Sequence, residues 1–518
     1  MFSKLSPRSL ALVAAVVPVP ALADVTADDY LNMITEVANA SGFKVTSDVS
    51  ADGDVTTVEN LNLVMTLPMD FGAFTMTVPT LTITASDGEL DVVYGETMDG
   101  QLTITPPEEG ADELVTPFTV SMSNMRDHVT GDPDQMQIER TYDSIEAMSD
   151  MSDMAALDSM GEDVSDIVST YHVIMTDGSQ TTTVSLGDMI IQNGSSTAAM
   201  VETTSQNIGG GSDKTAYTAN ENSTVDYIVQ LPRQPLDLMN VAASIRAGLS
   251  VDMSSKSEKV TSSQSMTFTS EATEYSEASS VSIEANGETV NSTTSFGFGE
   301  NGLSLDMGFG GSVADIAGDM NGMPFDVSLT SEPSTMEMAA PLMAAEDPQE
   351  FSLAIDVPSF AITSFEPQEM LMGFDVTEGE NHLVVDISGE MTVMQDLLDI
   401  ETMMGLEDTP VTVQSVSVNS LDLGLLGAMA TAEGDFEFTD MMDPMTGMPF
   451  SVTGTAQVVV ANINQLLSRL ESTGMVPPNA GMMLGAFLRQ EPQDGIEDRF
   501  VGDIELTPEG FTLNGMPF

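Results

Sequence analysis

Long runs in which apolar and polar residues alternate constrain this chain more than any other feature. "FTMTVPTLTITA" (Phe74–Ala85) puts an apolar residue at nearly every second position. "VTVQSVSVNSLDLGLLGAMATAEGDFEF" (Val411–Phe438) has apolar residues at 411, 413, 416, 418, 421, 423 and 425. A period of two sends alternate side chains to opposite faces, which describes half-buried strands. "ELDVVYG" follows the first run after the turn "SDG", and "QLTIT" and "TPFTVSMS" continue it. A polar stretch rich in Ser, Thr and Gly runs from Gly194 to Ser223. From Val251 to Leu305 the chain reads as Ser/Thr-rich strand, with turns expected at "ANGE" and "ENG". "FSVTGTAQVVV" and a terminal hairpin, "VGDIELTPEGFTLNGMPF", complete the series.

The tetrapeptide "GMPF" occurs at Gly322–Phe325, Gly447–Phe450 and Gly515–Phe518. Each copy follows turn chemistry ("DMN", "DPMT", "LN"). Gly permits positive φ, Pro is tolerated at the start of a strand, and Phe begins an inward face. The repeat is therefore expected to punctuate antiparallel strands. Its spacings share no period, so a regular solenoid is not expected.

Helices are few. Thr26 and Asp29 form a capping-box pattern ahead of Leu31, Ile34, Val37 and Ala38, with Gly42 as the stop. Tyr142–Met160 and Leu236–Leu249 are further helix candidates. A helical pair is expected over 462–488, where Ile463, Leu466, Leu467 and Leu470 share a face, Gly474 caps, and Pro477-Pro478 interrupt.

Residues 1–23 read as a secretory signal peptide. Lys4 and Arg8 precede an apolar stretch around Leu10–Val17, and Ala21-Leu22-Ala23 is an A-x-A site with cleavage expected before Asp24. With no Arg-Arg pair and no Cys, a Sec-type route into the periplasm of a Gram-negative bacterium is expected. No later stretch is apolar for long enough to form a membrane helix. Lys and Arg total 13 against 81 Asp and Glu, for a net charge of −68, and no Lys or Arg lies between Lys259 and Arg469. Such a surface repels nucleic acid and anionic membrane faces, and it suits a salt-adapted exported protein. Without Cys, stability must come from packing and backbone pairing.

Sharper motifs give way to structural readings. Asp48, Ser50, Asp52, Gly53 and Glu59 match a calcium loop, but strand-like flanks and "ADGD" favour a hairpin. "GFGENG" (Gly297–Gly302) matches a dinucleotide fingerprint, yet a strand follows it where a helix is required. Met148, Met151 and Met154, and again Met442, Met445 and Met448, have copper-like spacing. In a chain with 40 Met they read as core filler, the first set as an apolar helix stripe with Ile145. His128, His172 and His382 share no motif, and Ser41 with Lys44 forms an isolated S-x-x-K at a helix-to-strand junction.

The ending "ALADV" of the signal, the short helix and "GFKV" resemble an uncharacterised exported alphaproteobacterial family, the domain of unknown function 2125. "LAIDVPSFAIT", "VSVNSLDLGLLGAMATAEGDFEF", "INQLLSRLESTGMVPPNAGMMLGAFL" and "GFTLNGMPF" carry more of that likeness. The resemblance implies a periplasmic, strand-rich protein and brings no catalytic residues. The strand-and-turn style also looks like the AsmA-type periplasmic proteins, whose long curved sheets have an apolar inner face linked to lipid handling.

The expected fold is mainly β: an elongated, curved antiparallel sheet with a few short helices. The expected segments are 24–140 (helix and strands), 141–300 (Met/Asp- and Ser/Thr-rich middle) and 301–518 (β-rich end). The function expected first is binding lipid or other hydrophobic envelope components. The alternative is a structural or assembly factor acting through protein contacts on strand edges. A hydrolase using Ser41 and Lys44, and an outer-membrane barrel suggested by the terminal Phe518, rank lower; Pro517 and the lack of Trp oppose a barrel. No enzymatic activity, cofactor or metal is expected.

Overall fold

The computed structural model describes residues 24–105, 113–152, 168–209, 212–270, 279–320, 322–366, 381–406, 409–425, 427–438, 452–464, 467–468, 471, 488–493, 496, 498–507 and 510–517. Among the described residues all 26 strands belong to one sheet, and every pairing is antiparallel. The first stretch holds α1 (Ala27–Ala40), β1 (Lys44–Asp52), β2 (Val55–Thr66), β3 (Gly72–Ser86), β4 (Glu89–Tyr94), β5 (Thr97–Ile104), β6 (Leu114–Ser123), β7 (Arg126–Asp132), β8 (Gln135–Asp150), β9 (Val168–Leu186), β10 (Met189–Gly209) and β11 (Ser212–Pro232). The second holds α2 (Val241–Arg246), β12 (Ser250–Ser270), β13 (Ser279–Gly299), β14 (Gly302–Phe309), β15 (Ser312–Met320), β16 (Met323–Ser331), β17 (Ser334–Ala340), β18 (Gln349–Glu366) and β19 (Asn381–Val393). The third holds α3 (Ile400–Met404), β20 (Val411–Leu425), β21 (Ala428–Phe438), β22 (Val452–Ala461), β23 (Arg489–Gln490), β24 (Arg499–Thr507), β25 (Gly510–Leu513) and β26 (Met516–Pro517).

Strands pair mostly with their sequence neighbours, so the chain lays down one continuous ribbon. One departure occurs twice. β3 pairs along one edge with both β4 and β5; β4 then meets β7, β5 meets β6, and both partners rejoin β8. β13 repeats the arrangement with β14 and β15, then β17 and β16, closing on β18. Counting each split pair as one rank, the ribbon has about 21 ranks and would span about 95 Å if laid flat.

A crease crosses the strands. Asp177, Asn222 and Asn291 sit inside β9, β11 and β13 with φ near +50°, and Asn124 does so between β6 and β7. Opposite them the pairing omits Asp143, Ala199 and Glu258. Asn and Asp tolerate this left-handed conformation because their short polar side chains bond locally. Here they bond across strands: Asn124 Nδ2 donates to Asp143 Oδ2 at 2.5 Å, and Asn222 Nδ2 to Glu258 Oε2 at 2.7 Å. The side-chain phase changes at this line, so Tyr142 and Ile145, an odd number apart, pack in one cluster with Met122 and Met125. Asn222→Val is expected to cost about 2 kcal/mol, because a β-branched residue pays for φ > 0 and the amide clip is lost. Asn222→Gly should cost less than half as much in urea unfolding.

Several expectations are met. Thr26 and Asp29 form the capping box: the Asp29 N–H donates to Thr26 Oγ1 at 3.2 Å, and the Thr26 N–H to Asp29 Oδ2 at 3.0 Å. Gly42 (φ +88°) follows the helix. Gly322 and Gly515 have φ of +83° and +75° ahead of β16 and β26, so two GMPF copies do punctuate strands. The copy at 447–450 lies outside the described residues, as do residues 1–23 and most of 462–488. "GFGENG" is the β13–β14 turn.

Three expectations need correction. Tyr142–Asp150 is not helical but the second half of β8, paired with β6 and β9 on its two sides. Strands pair along both sides of Ser144–Ser149, which outweighs the helical spacing of Ile145, Met148 and Met151. Met148 is exposed while Ile145 packs inward, so no common stripe exists. "ANGE" is not a turn: Ala285–Glu288 run straight through β13 against Gln264–Thr261. The helix expected over Leu236–Leu249 is only α2, six residues capped by Asn240 accepting from the Ala243 N–H at 2.8 Å.

Candidate functional site

α1 lies against the first part of the sheet. Tyr30, Met33 and Ala40 are buried in a core with Val58, Leu81, Ile83, Leu90, Val92 and Val129, and Ala38 is buried as well. Leu61 and Leu63 of β2 reach the helix region from one side, and Gln192 and Tyr227 of β10 and β11 from the other. The sheet therefore curls around α1, leaving an apolar trough of about 390 Å³ along the helix. Ile34, Val37 and Phe43 line it on the apolar side; Arg140, Gln180, Thr182 and Tyr227 supply polar groups.

Beneath the helix is a buried polar network. Asp127 and Arg140 are direct cross-strand partners of the β7–β8 hairpin. Arg140 Nε donates to Asp127 Oδ1 at 2.7 Å, and Nη2 to Oδ2 at 2.8 Å. Tyr94 OH donates to Asp127 Oδ2 at 2.7 Å, Tyr30 OH to the same oxygen at 3.1 Å, and the two hydroxyls are 3.0 Å apart. Arg140 also stacks on the Tyr94 ring, 5.4 Å from its centroid. Burial pushes both phenols well above the usual tyrosine range, so they remain donors. Burial alone would loosen the Arg140 proton, but the bonds to Asp127 outweigh it and the guanidinium stays charged. The Asp127 side chain is 0% exposed whereas that of Arg140 is 28% exposed, so only the cation meets the trough.

From Tyr227 a single row of apolar side chains leaves the trough. Successive direct cross-strand partners are Tyr227, Met253, Phe296, Leu305, Met338, Leu353, Ile387 and Val418. The row continues through Gly434, Ala456 and Ile504 to Leu513, eleven steps or about 50 Å. None of these side chains is buried, and Met253 is 42% exposed. The adjacent row, which points to the other face, is Asp252, Gly297, Ser304, Ala339, Ser352, Ser388 and Ser417. That opposite face carries a shallow concavity whose lining includes the acids Asp226, Asp252, Asp306 and Glu337. The sheet is thus apolar on one face and acidic on the other.

Aromatic rings lie over glycines on the apolar face. Phe118 covers Gly100, Tyr142 covers Gly178, Tyr227 covers Gly194, Phe325 covers Gly318, Phe351 covers Gly389, and Phe436 covers Gly454. Each is a direct cross-strand pair. A glycine without Cβ lets the ring lie across the neighbouring strand, which keeps the face low and allows the sheet to bend.

The residues singled out in the sequence are not assembled into a site. Asp48, Ser50 and Asp52 are spread along exposed β1, and two residues of strand separate neighbours by about 6.6 Å, too far to converge on one ion. Glu59 pairs opposite Asp48 in β2, with Gly53 (φ +62°) in the turn. Among the described residues no cluster of three His, Asp or Glu could hold a metal. The three His are apart, each beside its own acids: His128 with Asp91 and Glu89, His172 with Glu146, His382 with Asp422. Ser41 closes α1 and Lys44 opens β1, as expected of a junction. Among the described residues no helix is long and apolar enough to cross a membrane. No protein-family model matches the chain, and no curated protein or solved structure matches it.

Proposed function

We propose that this protein holds acyl chains of envelope lipids along its apolar sheet face, in the periplasm after loss of residues 1–23. The carrying observation is the unburied apolar row from Tyr227 to Leu513. A continuous apolar strip of this size is uncommon on a protein that has no hydrophobic partner. Each chain methylene taken from water onto it contributes about 0.8 kcal/mol. The acidic opposite face keeps the loaded protein soluble and away from anionic membrane surfaces. An elongated sheet with one apolar face also agrees with the likeness to the AsmA-type proteins.

The assembly-factor reading has one supporting feature, the outer edge of β1, which pairs only with β2 among the described residues. Lys44, Asp48 and Asp52 on that strand are the kind of charges that discourage strand addition, so lipid binding is preferred. Detergent-free purification from the periplasm, followed by native mass spectrometry and organic extraction, is expected to yield stoichiometric lipid. Leu305→Asp combined with Ile387→Asp should reduce that lipid at least fivefold while the protein stays folded. A wild-type protein of clean apo mass would overturn the reading.

A further inference from the structure

We propose that the trough beneath α1 is a head-group site for a single-chain anionic amphiphile, with its carboxylate or phosphate on Arg140. The assignment rests on the reading of the apolar face as lipid-binding and adds the chemistry of the ligand. On a chain of net charge −68, a cation open to an apolar trough is unexpected. Asp127 neutralises Arg140 from beneath but is itself fully hidden, so a ligand in the trough meets donors and not the carboxylate. Asp127 and Tyr94 take Nε and Nη2, which among the described residues leaves the Nη1 end of the fork for a ligand oxygen.

The lining is amphiphilic in the same sense. Gln180 is the direct cross-strand neighbour of Arg140, and its amide donates to Tyr227 OH at 2.6 Å. Ile34, Val37 and Phe43 offer the chain an apolar wall. Tyr227 belongs to both the trough and the apolar row, so a chain whose head is on Arg140 has a continuous path onto the sheet.

Isothermal titration of the full folded chain with four twelve-carbon probes tests this: dodecanoate, dodecyl phosphate, dodecyl maltoside and dodecyltrimethylammonium. One or both anions should bind at least tenfold tighter than the other two probes; their ranking separates a fatty acid from a phosphate head. Arg140→Gln risks unfolding because it strands Asp127, so Gln180→Glu is the decisive variant. A carboxylate at 180 can still accept from Tyr227 OH, yet it occupies Arg140 and repels anions, and the preference should fall at least tenfold. Equal binding of dodecyl maltoside and dodecanoate overturns the head-group assignment and leaves the acyl-chain reading standing. No binding of any probe, by a protein that carries lipid from the periplasm, overturns the trough alone.

Discussion

Asp127→Ala is expected to destabilise the protein by about 3–5 kcal/mol, the range for stranding one partner of a buried ion pair. Three groups lose their shared acceptor at once: the Arg140 guanidinium and the hydroxyls of Tyr30 and Tyr94. None can turn fully to water while α1 remains in place, because Tyr30 is itself part of that helix's buried face. Asp127→Asn should cost somewhat less, since one oxygen still accepts. Replacing both Asp127 and Arg140 with Leu and Met should cost less than Asp127→Ala alone, because no charge is then left unpaired. Urea unfolding of the wild type and these three variants measures the order. If Asp127→Ala changes stability by less than about 1 kcal/mol, the network does not anchor α1.

The strands were legible because one face of each packs and the other is wet. Even the irregularities of the run from Val411 are written in it. Its apolar positions step by three at 413–416 and 418–421, and the structure places its β19–β20 register shifts there, with Gln414 and Asn419 as the extra residues. The helix error at Tyr142–Asp150 has the opposite origin. Ile145, Met148 and Met151 fit a helical face, and nothing local reveals that β6 and β9 will pair on both sides. The crease was hidden for a related reason. Asn and Asp usually mark turns, and Asp177, Asn222 and Asn291 instead mark bends inside strands of about twenty residues. Part of the site was readable in retrospect. A hairpin turning at Asp132–Gln135 must set Asp127 opposite Arg140, an acid and a base on one face. That Tyr30 and Tyr94 close over the pair was not readable, since the contact spans 97 residues from Tyr30 to Asp127.

Gly389→Val is expected to be among the most damaging single substitutions on the apolar face, at about 3 kcal/mol or more. Gly389 lies within β19 between Phe351 of β18 and Val416 of β20. A Cβ there would come within 2.2 Å of the Ser415 carbonyl oxygen and 2.6 Å of the Phe351 ring. The ring could rotate away, at the cost of its packing; the carbonyl is backbone and could move only by parting β19 from β20. Phe351→Leu in the same chain should therefore recover little of the loss. Gly427→Ala provides the contrast: Gly427 sits at the β20–β21 turn with φ +82° and open space around it, so only backbone strain of about 1 kcal/mol is expected. Thermal unfolding of the three variants separates steric from conformational cost. If Gly389→Val were no worse than Gly427→Ala, the ring-over-glycine pairs would not set the spacing of the strands. The apolar face would then owe its low relief to something other than these six glycines.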